Sequence, residues 1–204
     1  MNFRTEIQIK KSQEKISHKQ KILLLGSCFA QNMQVKFAEG GFEAMHPFGA
    51  IYNPYSVANS FKLIAEKQIP SVESLFFQKD KWNSYAFHSS YSSADKNEAI
   101  RQMSDAINKA NDILNSEDPI IVITLGTSWV YELNETGEIV ANCHHSNANC
   151  FTRRAMDVEE IIDVIKPICQ SGKRIIFTVS PVRHLKDGAH ENQLSKSRLL
   201  LAVD

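Results

Sequence analysis

The sequence predicts an α/β fold built on a parallel sheet with helices on both faces. Three observations lead there. Apolar runs of strand length at 21–25, 120–125 and 174–179 each stop at Gly or Ser. The segments between them carry apolar residues at helical spacing, and strand and helix alternate along the chain. An unbroken apolar run bounded by turn residues suits a strand buried on both faces, the pattern of a parallel sheet.

Lys21–Leu25 ends at Gly26, and Ser27 to Glu39 reads as a helix stopped by Gly40-Gly41. Pro54 to Lys67 is a second helix, with Val57, Phe61, Leu63 and Ile64 on or near one face. Leu75–Lys79 and Trp82–Phe87 read as two short strands joined at Asp80-Lys81. A longer helix places Ile100, Met103, Ile107, Ala110 and Leu114 on its buried face. Ile120–Leu125 is the second core strand, broken at Gly126, and Val130–Leu133 with Glu138–Ala141 form a hairpin. Asp157 with Glu160 three residues on is a capping box, with Val158, Ile161, Ile162, Ile165 and Ile168 as the inner stripe behind it. Gly172 ends that helix, and Arg174–Val179 is the third core strand. Glu191 to Val203 is a last apolar helix with neither a Gly stop nor a strand after it. A parallel sheet of this connectivity continues, so residues 1–204 read as a single domain that stops short of its C-terminal strand.

Composition narrows the function classes. The 204 residues are 43% hydrophobic and 23% charged, with Lys+Arg 23 against Asp+Glu 23. That balance offers no basic surface for nucleic acid. The apolar runs are too short to span a bilayer, and Met1 to Glu6 has no signal-peptide pattern, so the expected location is cytoplasmic. The four cysteines, Cys28, Cys143, Cys150 and Cys169, form no CxxC pair and read as free thiols, with no metal and no cofactor expected.

Sites in such sheets lie at the carboxyl ends of the strands. Gly26-Ser27, Gly126-Thr127-Ser128 and Ser180-Pro181-Val182-Arg183-His184 should therefore converge on one edge. Ser27 there has three readings: a nucleophile backed by helix-start amides, a helix cap, or part of a phosphate or nucleotide site. The chain lacks GxGxxG and GxxxxGK[ST], which weakens the last.

Gly26-Ser27-Cys28-Phe29-Ala30 resembles the signature of the bacterial GSCFA family. Pro47-Phe48-Gly49 with Tyr52-Asn53-Pro54, Thr124-Leu125-Gly126-Thr127 with Trp129-Val130-Tyr131, Asn142-Cys143-His144, and Ser180 to His184 extend the resemblance from about Phe3 to the end. That family looks like a branch of the SGNH (GDSL-like) hydrolases. The resemblance implies a flavodoxin-like sheet, Ser27 as nucleophile, and an oxyanion hole lined by the Ser27 and Gly49 N–H groups. SGNH enzymes carry Gly-x-Asn after the third motif strand, where this chain has Gly126-Thr127-Ser128, so Thr127 or Ser128 would donate instead. Their base lies in an Asp-x-x-His near the C-terminus, which the resemblance places beyond Asp204.

Within the chain, His184 is a candidate base or substrate contact, and equally a structural partner of Asp187. His190 follows Asp187 at the literal Asp-x-x-His spacing. Asn53, His144 and Arg183 stand as candidate substrate contacts, His144 in a loop over the pocket or simply in a solvated one. Cys28 is expected to turn into the core, and Arg153-Arg154 to be solvated surface. Phe76, Phe77, Trp82, Tyr85 and Phe87 pack the first hairpin on the helices or line an acyl pocket.

The leading expectation is an esterase or deacylase that forms an acyl-serine on a small, possibly carbohydrate-linked ester. The alternatives are a non-catalytic ligand-binding module on the same fold and a phosphate- or nucleotide-binding domain.

Overall fold

A computed structural model describes Gln8 and residues 11–204. Its centre is a four-stranded parallel sheet in the order β2-β1-β5-β9, formed by β1 (Ile22–Gly26), β2 (Ala44–Met45), β5 (Ile120–Leu125) and β9 (Arg174–Val179). Five helices surround it: α1 (Cys28–Glu39), α2 (Pro54–Ala65), α3 (Lys96–Leu114), α4 (Val158–Cys169) and α5 (Gly188–Val203). The expected α/β class with a mostly parallel sheet is what the chain adopts.

The period-two alternation of β1 and β5 sorts the layers. Leu23, Leu25, Ile121, Ile123 and Leu125 point into the larger core, which is closed by residues of α2, α3, α4 and α5. Ile22, Leu24, Ile120 and Val122 point the other way, against Ala30, Met33 and Phe37 of α1. Every residue of β1 and β5 is buried. Each such Leu or Ile contributes about 1.5–3 kcal/mol by leaving water.

Two antiparallel units are inserted. The first is the hairpin β3 (Phe76–Gln78) and β4 (Lys81–Asn83), between α2 and α3. The second, between β5 and α4, is a three-stranded sheet in the order β7-β6-β8, from β6 (Trp129–Leu133), β7 (Ile139–Val140) and β8 (Phe151–Ala155).

Several local expectations are corrected. The first hairpin turns at Lys79-Asp80, both at positive φ, and β4 ends at Asn83 because Ser84 to Phe87 forms a turn closed by the Phe87 N–H on the Ser84 carbonyl. Strand β8 was not anticipated. Arg153 lies over the Trp129 ring at 3.9 Å and pairs with Asp187, while Arg154 pairs with Glu132 at 2.6 Å and Glu160 at 2.8 Å, so this basic pair is structural. Ile162 lies outside the stripe that α4 buries and is 39% exposed, whereas Ile161, Ile165 and Ile168 are buried. The capping box of Asp157 and Glu160 forms as expected. α5 starts at Gly188, three residues earlier than the apolar pattern indicates.

Gly26 has φ +122°, and a Cβ there would lie 2.1 Å from the Thr124 carbonyl oxygen. Both the backbone conformation and the space exclude a side chain. Gly26→Ala is expected to destabilise the fold by more than about 3 kcal/mol, read as a fall in urea midpoint. A midpoint within error of the parent would show that the β1–β5 contact is looser than described.

Candidate functional site

The carboxyl ends of β1 and β5 are tied together by the segment 46–53, which we call the strap. The Ile51 N–H donates to the Gly26 carbonyl at 2.9 Å, and the N–H groups of Gly126 and Thr127 both donate to the Tyr52 carbonyl, at 2.8 and 3.1 Å. The Ser180 N–H donates to the Leu125 carbonyl at 2.9 Å, bringing the end of β9 to the same edge. Gly26-Ser27, Gly126-Thr127 and Ser180 are thus gathered as the strand pattern implies.

Ser27 occupies the N-cap position of α1, yet its side chain makes no cap hydrogen bond. It is 2% exposed, and its Oγ has no partner among the described residues. Its N–H donates to the Thr124 carbonyl at 3.1 Å, extending the β1–β5 ladder. At the helix start, the N–H groups of Cys28 and Phe29 have no acceptor among the described residues, leaving two donors for an anion there. Cys28 is exposed rather than turned into the core.

The groups expected to hold an oxyanion differ in their availability. Gly49 sits in the strap at φ +71°, packed so closely on His88 that a Cβ would lie 2.4 Å from the His88 Cβ. Thr127 Oγ1 accepts from the Trp129 N–H at 3.1 Å and lies 3.1 Å from Ser195 Oγ. The Ser128 N–H is spent on Ser195 Oγ at 2.8 Å, while Ser128 Oγ, fully buried, has no partner among the described residues.

The remaining candidates lie elsewhere. Asn53 Oδ1 accepts from the Ser56 N–H at 2.8 Å and caps α2. His144 is buried rather than in a solvated loop, with Nε2 2.7 Å from the Ser84 carbonyl and its ring edge-on to Phe76. His184 is exposed, its Nδ1 3.3 Å from Asp187 Oδ2, so the structural pairing is the one formed. Arg183 and His190 line a hollow between the end of β9 and α5, together with Ser180 and Lys196. No hydrogen bond among the described residues links His144, His184 or His190 to Ser27.

Three residues that sequence reasoning passed over sit at the edge. His46 Nε2 lies 3.2 Å from the Gly26 carbonyl, the peptide that carries Ser27. Because a carbonyl only accepts, Nε2 bears the hydrogen and Nδ1 keeps its lone pair. Ser195 and Lys196 of α5 grip the turn after β5, the Lys196 ammonium donating to the Gly126 carbonyl. Burial pushes the Lys196 pKa down, opposed by Asp187. The signal for His46 was its place directly before Pro47-Phe48-Gly49.

Among the described residues, no cluster of three or more His, Cys, Asp or Glu could hold a metal ion, and no helix is long and apolar enough to cross a membrane.

The sequence model of the GSCFA family matches residues 21–204. The chain belongs to the GSCFA family. No curated protein and no solved structure matches it. The matched span covers the central sheet and all five helices, so the edge built by Gly26, Ser27, the strap and the turn after β5 is part of the GSCFA unit itself.

Ser195→Ala would strand the buried Ser128 N–H, at a cost of about 1–3 kcal/mol, measured by urea unfolding. An unchanged midpoint would mean that water or a shifted carbonyl satisfies it. His46 and His144 give a pH signature. Burial holds both below the usual 6.5, opposed by their bonds to the Gly26 and Ser84 carbonyls. The unfolded chain then takes up protons that the folded chain resists, so this stability is present above 6.5 and lost as the pH falls below it. The urea midpoint should be flat between about pH 8 and 7 and decline towards about pH 5.5, with a shallower decline in His144→Asn. A midpoint that rises on acidification over that range would contradict the burial of these rings.

Proposed function

We propose that this GSCFA chain is a serine esterase or deacylase of SGNH type on a flavodoxin-like sheet, with Ser27 as nucleophile. The observation that carries the reading is the unpartnered Ser27 Oγ. A serine that serves as a cap accepts a helix-start N–H; Ser27 makes no such bond although donors are at hand. Leaving a buried hydroxyl unpaired costs about 1–3 kcal/mol, a cost understandable where the oxygen is kept for a reacting carbonyl.

In the proposed reaction Ser27 Oγ attacks the ester carbonyl and its proton passes to a general base. The tetrahedral oxyanion is held by the amides at the start of α1 and by Gly49. Collapse breaks the ester C–O bond as the protonated base gives its proton to the departing oxygen, so the alcohol leaves. Water, deprotonated by the same base, then attacks the acyl-serine, releasing the acid and returning the proton to Ser27 Oγ. In place of the side-chain Asn donor of SGNH enzymes stand the hydroxyls of Thr127 and Ser128, of which Ser128 Oγ is the unpartnered one, a weaker substitute. Loss of one such donor lowers the rate by roughly 10²–10³ in other hydrolases, so slow turnover is expected. The free thiols suit a reducing cytoplasm.

Ser27 is enclosed, and the strap is bonded to the Gly26 carbonyl just before it and to the turn after β5 beside it. Reaction therefore needs the strap to shift. The same enclosure favours a second reading, a binding module without turnover. The full-length protein treated with a fluorophosphonate should gain one adduct by intact mass, mapped to Ser27 and absent in Ser27→Ala. No adduct on a folded sample, or one that persists in Ser27→Ala, would remove the serine-nucleophile reading and leave the binding module.

A further inference from the structure

A groove of about 460 Å³ runs from the strap down the β2 edge, between α1 and α3. It borders the Ser27 centre. His46, which lines it, is bonded to the Gly26 carbonyl, Gly49 lines it as well, and Gln31 stands one helical turn beyond Ser27. Its volume falls within the roughly 300–1,000 Å³ of small-molecule sites.

The lining mixes polar and apolar surface and carries no strong net charge. Gln31 and Gln34 come from α1, with Ser90, Tyr91 and Gln102 opposite. Gln31 has no side-chain partner among the described residues, and Gln34 makes only a 3.5 Å contact with the Ala44 carbonyl. Gln102 gives one amide hydrogen to Glu98 at 2.7 Å while its oxygen and second hydrogen stay available. The one guanidinium, Arg101, is neutralised by Asp105 at 3.1 Å and by Glu98 at 2.8 Å. With Lys109, the second cation of the lining, two cations stand against Asp105 and the Glu98 that pairs Arg101, so no single-sign field selects an anion. The apolar surface comes from Met45, Ala106 and the Tyr91 ring face rather than from a run of aliphatic side chains. Side-chain amides and a hydroxyl each offer donor and acceptor together, which suits a group that is itself both, a ring hydroxyl. The Tyr91 ring is half-buried with its hydroxyl spent on the Pro47 carbonyl, so the ring contributes as an apolar face.

We propose that this groove is the subsite for the non-reacting part of the substrate, and that it takes a neutral polyhydroxyl group of one or two sugar rings. The proposal rests on the esterase reading above for its role, but its binding can be read without turnover. Maltose, xylobiose and N,N′-diacetylchitobiose would be titrated into the full-length protein by NMR, with octanoate and inorganic phosphate as comparison ligands. At least one disaccharide should bind saturably in the millimolar range or tighter. Gln31→Ala and Gln102→Ala should each weaken it by roughly tenfold, the loss of one well-placed hydrogen bond, with thermal midpoints unchanged. Ser27→Ala should leave it intact. Failure of all three sugars to bind, preference for octanoate or phosphate, or indifference to both glutamine changes would overturn the proposal. Fluorophosphonate labelling of Ser27 without sugar binding would remove the groove alone. Sugar binding without labelling would remove the esterase and keep the groove.

Discussion

The peptide between Gly26 and Ser27 is the constraint on which the rest of this edge depends. β1 and β5 approach so closely at their carboxyl ends that a Cβ on Gly26 would lie within 3 Å of three backbone atoms of Thr124. The Gly26 carbonyl receives two donors, the Ile51 N–H and the His46 ring, while the Ser27 N–H is drawn to Thr124. Each hydrogen bond contributes about 0.5–1.5 kcal/mol net. The steric limit is larger and cannot be relieved by side-chain rotation. Close packing therefore fixes the position of Ser27, and the hydrogen bonds fix its orientation.

From that point the constraint spreads by bonds that change element at every step. The strap passes it from Gly26 to the turn after β5 through the Tyr52 carbonyl, and α5 holds the far side of that turn through Ser195 and Lys196. Five buried side-chain atoms have no partner among the described residues, Ser56 Oγ, Trp129 Nε1 and His144 Nδ1 besides the hydroxyls of Ser27 and Ser128. Ser27 Oγ and Ser128 Oγ follow neighbouring strands, are buried, and have no partner among the described residues. Two unsatisfied hydroxyls at the ends of adjacent strands fit a site better than they fit a merely structural edge.

The layers were legible because they depend on periodicity. The alternation in Ile22–Leu25 and Ile120–Leu125 and the spacing of Met103, Ile107 and Ala110 carry their own facing. Capping was legible at Asp157 because the box is local. Legibility failed where a partner distant in sequence supplies the reason. Phe151–Ala155 contains two arginines and reads as surface, but Trp129, Asp187, Glu132 and Glu160 neutralise or cover them. His144 reads as a loop residue until the Ser84 carbonyl appears beneath it. The β2 strand has two residues and exists only because β1 offers it a ladder. At the site, Ser27 and Gly49 were marked by their motifs and His46 only by standing next to one, whereas Ser195 and Lys196 carried no mark, since their contacts span 67 and 70 positions.

The enclosure of Ser27 and the openness of the groove beside it are best understood together. The strap that is bonded to the peptide before the serine is also the wall of the groove, since His46 and Gly49 belong to both. A ligand settling against His46 and Gly49 acts directly on the segment that must move. Binding energy from the non-reacting part of a substrate can then be spent on that movement instead of appearing as affinity. An enclosed nucleophile is guarded from water except when the strap opens, and a molecule long enough to fill the groove makes that opening more frequent. A small ester or phosphonate that reaches the edge without touching the groove gains none of that energy and reacts only as often as the strap opens unaided. On this geometry selectivity therefore resides in the opening step as much as in the chemistry.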